Sequence, residues 1–174
     1  RGDVHGKSGE LRLIDTDGGA CERVLIVGLG KKDGFGRKQY RKALISALGA
    51  IARTGARDAV SYLAESIVEP DAYYDARLAA EAVGVALYRV PAIRSARKPP
   101  DAALKSFGIA VAEAGQKSAT QRGLDHGQAI AAGSALTRDL ANLPANVCTP
   151  SYLAQQAKEL ARSYKSVHTQ VLEE

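Results

Sequence analysis

The 174-residue sequence has no tryptophan, no methionine, two phenylalanines and two cysteines. Cys21 and Cys148 stand far apart, which excludes a disulfide framework and fits a reducing compartment. No apolar run reaches the ~18 residues expected of a membrane span. The first residues, RGDVHGKSGE, are polar and lack the apolar core of a secretory signal. Without a methionine, Arg1 reads as an internal position of a longer polypeptide. The chain has no HExxH pair and no cysteine–histidine cluster at metal-ligand spacing. A G-x-S-x-G nucleophile elbow is also missing. No aromatic residues interleave with the basic ones as a single-strand stacking platform would need.

What remains describes a globular chain. Hydrophobic residues make up 45% and charged residues 25%, ordinary values for a folded domain. The length allows one domain, or one domain and part of another, burying roughly two thirds of the unfolded surface. The net charge of +5 is compatible with an anionic partner, although charge of this size governs encounter rather than a site.

Periodicity divides the chain into alternating strands and helices. Residues 11–14 alternate as a strand, 15–19 form an Asp/Gly turn, and 23–28 are a continuous apolar run. The expectation is a hairpin whose second strand is central in a sheet. Tyr40, Leu44, Ala47, Leu48 and Ile51 share one face of a helix over 37–54, closed by Gly55. A strand is expected at 59–63. Asp71 then suits the first turn of a helix over 72–90, with Ala79, Val83, Ala86, Leu87 and Val90 as its stripe. Residues 94–100, RSARKPP, read as a basic loop, and 107–111 as a strand. Ser118-Ala-Thr-Gln121 has capping-box spacing before a long helix ending near Leu143. Gly127, Ala131 and Ser134 or Ala135 give that helix a small-residue stripe, so another backbone should cover it closely. Thr149 with Pro150 opens a further helix lined by Leu153, Ala157 and Leu160 or Ala161. Residues 167–172 read as a last strand. The order β-β-α-β-α-β-α-α-β argues an α/β fold: a mixed sheet flanked by helices, then a long linking helix.

Several motifs approach chemistry and stop short. Gly28-Leu-Gly-Lys-Lys-Asp33 follows a strand and precedes a helix, but Asp33 stands where a dinucleotide fingerprint has its third glycine. Gly2-Asp-Val-His-Gly-Lys-Ser8 resembles a P-loop with one residue too few and no helix behind it. Lys31, Lys32, Arg37, Lys38, Arg41 and Lys42 form a basic cluster at a helix start, with Arg94, Arg97 and Lys98 as companions. Such a cluster opposes the helix dipole and invites an anion, although charge runs are usually solvated faces. His5, His126 and His168 are scattered, and the neighbours Asp125 and His126 do not face each other on a helix. Cys148 near a helix start has no histidine close by to act as its base. The residues alone assemble no active site.

The stretch GQAIAAGSALTRDLANLPANVCTPSYLAQQAKELA resembles the junction between the two domains of M17 leucyl (cytosol) aminopeptidases. Its N-x-P-x-N-x-x-TP loop is matched by Asn142, Pro144, Asn146, Thr149 and Pro150. RVLIVGLGKK, YRKAL and GLDHGQAIAAG are similar to the same family's amino-terminal domain. The resemblance implies a macro-domain-like amino-terminal domain over 1–117, a linking helix over 118–143, and the beginning of a catalytic domain over 144–174. For the whole protein it implies a cytoplasmic homohexameric hydrolase that removes amino-terminal residues, often leucine, from peptides. Two divalent metals, zinc or manganese, would activate water and polarise the scissile carbonyl.

The family's metal-ligand segment and its Asn-Thr-Asp-Ala-Glu-Gly-Arg signature have no match here, so the resemblance assigns no catalytic, cofactor-binding or metal-ligating residue. The chain thus reads as a piece cut at both ends, an inactive scaffold and assembly region. The alternative reading is a DNA-binding module acting through the basic cluster. A nucleotide or ADP-ribose binder ranks last, because no ligand-binding residue matches.

Overall fold

The structure, a computed structural model, describes residues 4–90, 104–111 and 113–172. The basic loop at 94–100 lies outside the described residues. Strands β1 (Leu11–Asp15) and β2 (Arg23–Val27) form the expected hairpin, antiparallel, with Leu13 opposite Leu25. Helix α1 (Arg37–Ile51) follows, then β3 (Asp58–Ser61), α2 (Ala72–Ala86), β4 (Ser106–Ile109), α3 (Lys117–Ala141) and α4 (Pro150–Ser163). Strands β3 and β4 run parallel, with Ala59 opposite Phe107. Helix α2 lies between them in sequence, the expected way to join parallel neighbours. The fold is therefore mixed α/β, small sheets flanked by helices, with one long helix.

Four local expectations fail. Strand β2 pairs only with β1 among the described residues, and Val24 is 42% exposed, so the apolar run 23–28 is not a central strand. Its hydrophobic character serves packing against α1 instead. Residues 167–172 form no strand, because no described segment offers them a ladder. Helix α2 ends at Ala86, leaving Val90 52% exposed beyond it. The capping box at 118–121 is not used either. Helix α3 grows directly out of a 3-10 turn at Ala114–Gln116, with Gln116 as N-cap, and the Thr120 hydroxyl donates to the Gln116 carbonyl 3.0 Å away.

The stripe read from α1 becomes the core. Tyr40, Leu44, Ala47 and Leu48 are buried there, with Phe35 ahead of them, Ile67, and Ala79 and Ala82 from α2. Each large apolar side chain in this cluster contributes roughly 1.5–3 kcal/mol by leaving water. Gly55 has a φ of +73°, the left-handed conformation a β-carbon would oppose, so glycine suits the turn closing α1.

Helices α2 and α3 lie against each other along a seam of small residues. A β-carbon on Gly127 would sit 2.5 Å from the Arg77 carbonyl oxygen and 2.7 Å from the Ala80 β-carbon. One on Gly123 would collide with the Tyr73 carbonyl, and one on Gly84 would lie 2.5 Å from the Ala131 β-carbon. Backbone meets backbone, as the stripe predicts. Only this face of α3 is covered, however: Thr120, Gly123 and Gly127 are its buried residues among those described, and Ile130 is 44% exposed.

Candidate functional site

The two near-motifs for phosphate binding turn out to bind each other. The Gly28 amide donates to the Glu10 carbonyl at 2.7 Å, the Gly30 amide to the Gly6 carbonyl at 2.9 Å, and the Gly9 amide to the Gly28 carbonyl at 3.0 Å. The Gly28 and Gly30 amides, which a phosphate cradle would need, are thus already paired. A β-carbon on Gly28 would collide with the Lys7 carbonyl, so this glycine exists for close approach of the 6–10 turn. Within that turn the Glu10 carboxylate accepts from the amides of His5 (3.0 Å) and Lys7 (3.1 Å). These bonds hold the Glu10 carboxyl below its ordinary pKa. The chain supplies its own anion to the loop, which argues against a phosphate there; Gly2 and Asp3 of the second motif lie outside the described residues.

A polar cluster sits where α1 and α2 begin. Asp71 caps α2, its carboxylate accepting from the Tyr74 amide at 2.8 Å. Asp75 returns the favour one turn later, accepting from the Asp71 amide at 2.7 Å. Asp75 is 4% exposed. Burial pushes its carboxyl above the ordinary carboxylate range, despite the Asp71 amide and the Arg37 guanidinium 3.5 Å away. The Tyr40 hydroxyl beside it is buried without a hydrogen-bond partner, and burial raises its pKa. Arg37 also donates to the Glu69 carbonyl (3.3 Å) and lies 5.4 Å from the Tyr74 ring centroid. This residue therefore belongs to the fold rather than to a basic docking surface. Arg77 also lies 5.2 Å from the Tyr74 ring centroid and pairs with Glu81 at 3.1 Å.

A second cluster clasps the far ends of α2 and α3. Tyr88, just past α2, donates its hydroxyl to Asp139 at 2.9 Å. The Asn142 amide donates to the Tyr88 oxygen (3.4 Å) and to the Arg138 carbonyl (2.8 Å). Arg138 lies 5.0 Å from the Tyr88 ring centroid, a cation–π contact at the carbonyl end of α3, where positive charge is favoured. Desolvation, then the bond to Asp139, raises the Tyr88 phenol. The junction loop continues from Asn142. The amides of Val147 and Cys148 both bond the Pro144 carbonyl at 2.9 Å, and Thr149 caps α4 by accepting from the Tyr152 amide at 3.3 Å. Asn142 thus has a place in the clasp that its spacing in the junction loop did not reveal.

The remaining candidates do not converge. His126 meets the Tyr73 hydroxyl at 2.9 Å through Nδ1, edge-on to its ring, and does not meet Asp125. His5 faces Glu10 at 3.8 Å. Cys21 and Cys148 are free thiols. Among the described residues no three His, Cys, Asp or Glu side chains could share a metal ion. No described helix is long and apolar enough to cross a membrane.

Comparison with known proteins gives this architecture its relatives. Residues 1–97 match the cytosol aminopeptidase family, N-terminal domain. A probable cytosol aminopeptidase of Alkalilimnicola ehrlichii is 39% identical over 175 residues, covering 99% of this chain and 35% of that protein. One from Vibrio parahaemolyticus is 36% identical, covering 100% of this chain and 35% of its own length. The chain therefore spans about a third of the length of the curated relatives it matches. Among solved structures, the bottromycin maturation enzyme BotP in complex with Mn aligns with a TM-score of 0.74 at 28% identity, over 92% of this chain and 32% of that one. A tomato leucine aminopeptidase mutant aligns at 0.73 and 27%, over 94% and 31%. By the match over its first 97 residues and by relatives aligned across nearly its full length, the chain belongs to the cytosol aminopeptidase family and carries that family's N-terminal domain.

Proposed function

We propose that this chain is the scaffolding and assembly part of a metal-dependent, cytoplasmic leucyl aminopeptidase, one that removes amino-terminal residues from peptides as a homohexamer. The alignment of relatives over 99–100% of this chain and 35% of their own length carries the reading. Residues 1–117 act as the amino-terminal domain, 118–143 as the linking helix, and 144–174 as the opening of the catalytic domain. When bound, two divalent ions, zinc or manganese, would supply the Lewis acidity and the activated water. The described residues hold no fitting ligand group, so no chemical step is assigned to them. Their part is positional: the α2–α3 seam and the Tyr88–Asp139 clasp fix the junction loop relative to the domain.

The test joins residues 1–174 to the remaining two thirds of the Alkalilimnicola relative and assays leucyl-p-nitroanilide hydrolysis with manganese. The chimera should hydrolyse the substrate and sediment as a hexamer, while the 174-residue chain alone should do neither. Hydrolysis by the chain alone would refute the assignment of chemistry elsewhere. A folded but inactive, monomeric chimera would refute the scaffold role.

One observation favours a second activity, DNA binding. Lys31, Lys32, Lys38, Arg41 and Lys42 are exposed, and none makes an ion pair within the described residues. Anisotropy with labelled duplex should then show affinity falling steeply with salt, roughly one power of salt concentration per phosphate contact. No affinity at low salt would remove the reading.

A further inference from the structure

A small cleft opens where α1, α2 and α3 meet. Its volume is about 50 Å³, and Arg41, Glu81, Ser134 and Arg138 supply its polar lining. Gly84 and Ala131, where α2 and α3 approach closely, also line it.

The charges in this cleft do not balance internally. Glu81 is held by Arg77 at 3.1 Å. Neither Arg41 nor Arg138 makes an ion pair among the described residues. Arg138 is kept in place by the Tyr88 ring rather than by a carboxylate. Arg41 is exposed and Arg138 half-buried, so two like charges line one cleft without a carboxylate of their own among the described residues, and an anion there would meet both. Arginine is the residue whose planar fork suits oxyanions, and the Ser134 hydroxyl adds a further donor.

We propose that this cleft binds a phosphate-class oxyanion between Arg41 and Arg138. Size and charge set the class. One water needs roughly 10–15 Å³ of such space, so the cleft holds a single tetrahedral group and excludes a base or sugar ring. A phosphate carries about −1.5 to −2 at pH 7 and has oxygens enough for both forks and the hydroxyl. The site is independent of the peptidase reading, because every lining residue belongs to the described helices. It shares Arg41 with the basic residues considered for DNA, but Lys31, Lys32, Lys38 and Lys42 do not line it.

The experiment is calorimetric titration of the 174-residue chain with inorganic phosphate at constant ionic strength, with glycerol 2-phosphate as a second arm. The expected result is saturable one-to-one binding. Arg41→Gln and Arg138→Gln should each weaken it by roughly tenfold or more, the size of a lost charge-assisted hydrogen bond. Lys158→Gln, with the same charge change on the exposed face of α4, should leave it within about twofold. Arginine Nε–Hε resonances of residues 41 and 138 should shift on phosphate addition, which provides a residue-specific reading in the unaltered chain. Equal binding of both compounds assigns the site to a terminal monoester, and preference for inorganic phosphate to the free ion; both support the proposal. Absence of saturable binding, or equal weakening by Arg41→Gln and Lys158→Gln, would overturn it. Should Arg138→Gln fail to fold, Arg41→Gln and the resonance shifts decide.

Discussion

Two alanine substitutions in the same helix should act with opposite sign. Gly127 and Gly133 both lie within α3. A β-carbon at 127 would stand 2.5 Å from the Arg77 carbonyl oxygen, whereas one at 133 meets nothing within 4 Å. Ordinary contact begins near 3.4 Å, so α2 and α3 must separate locally by 3.4 − 2.5, roughly 0.9 Å. Both neighbours are backbone or backbone-fixed atoms and cannot swing aside. Such overpacking costs about 1–3 kcal/mol, and the better helix propensity of alanine returns up to ~1 kcal/mol. Gly127→Ala should therefore destabilise by about 1–2 kcal/mol, and Gly133→Ala should stabilise by about 0.5–1 kcal/mol. For a chain of this length each kcal/mol moves the melting temperature by roughly 2–4 °C. Circular dichroism melts, with urea titrations to check that the m-value is unchanged, would read both. If Gly127→Ala melts at or above the parent, or Gly133→Ala falls with it, the backbone-to-backbone seam is not the contact that sets this interface.

Two further outcomes follow from the caps and the buried carboxyl. Thr149→Ala should cost about 0.5–2 kcal/mol locally, seen as faster hydrogen exchange at Tyr152 and Leu153, with Thr149→Ser restoring protection. Asp75 has a raised pKa, so the folded chain holds its proton more tightly than the unfolded one. Its favourable contribution is complete below the unfolded carboxylate value, roughly 3.9, and is lost as pH rises through the folded value. Asp75→Asn keeps an acceptor for the Asp71 amide and removes this titration. Its melting temperature should decline less than the parent's between pH 4 and 7. A parent that gains stability relative to Asp75→Asn over that range would contradict the burial argument.

Much of the fold was legible because it rests on local rules. The α1 stripe, the 11–27 hairpin and the Thr149–Pro150 start of α4 depend on periodicity, turn residues and capping chemistry within a few neighbours. The small-residue stripe of α3 announced a close helix contact, though not that α2 would provide it. Failures came where a distant partner decides. The run 23–28 has the hydrophobicity of a central strand, and residues 167–172 have strand-like character, yet ladders require partners that sequence does not name. Helix α3 started from a preceding 3-10 turn, which pre-empted the Ser118 cap. The site-level surprises were longer in range still. Tyr88 and Asp139 are 51 positions apart, and the 6–10 turn consumes the amides of Gly28 and Gly30. A glycine motif gives no sign of which backbone groups are already spoken for.

Helix α3 is fastened at two stations, Gly127 against α2 and Asp139 against Tyr88. Between such stations the chain length becomes a fixed quantity. Inserting a single residue there would turn everything beyond it by roughly 100° about the axis and push it ~1.5 Å along. The glycine notch and the tyrosine grip could no longer be satisfied together, and whatever follows Asn142 would leave on a different bearing. Apart from the positions that meet α2 or Tyr88, such as Ala131 and Arg138, sequence between these stations is constrained in count more than in identity.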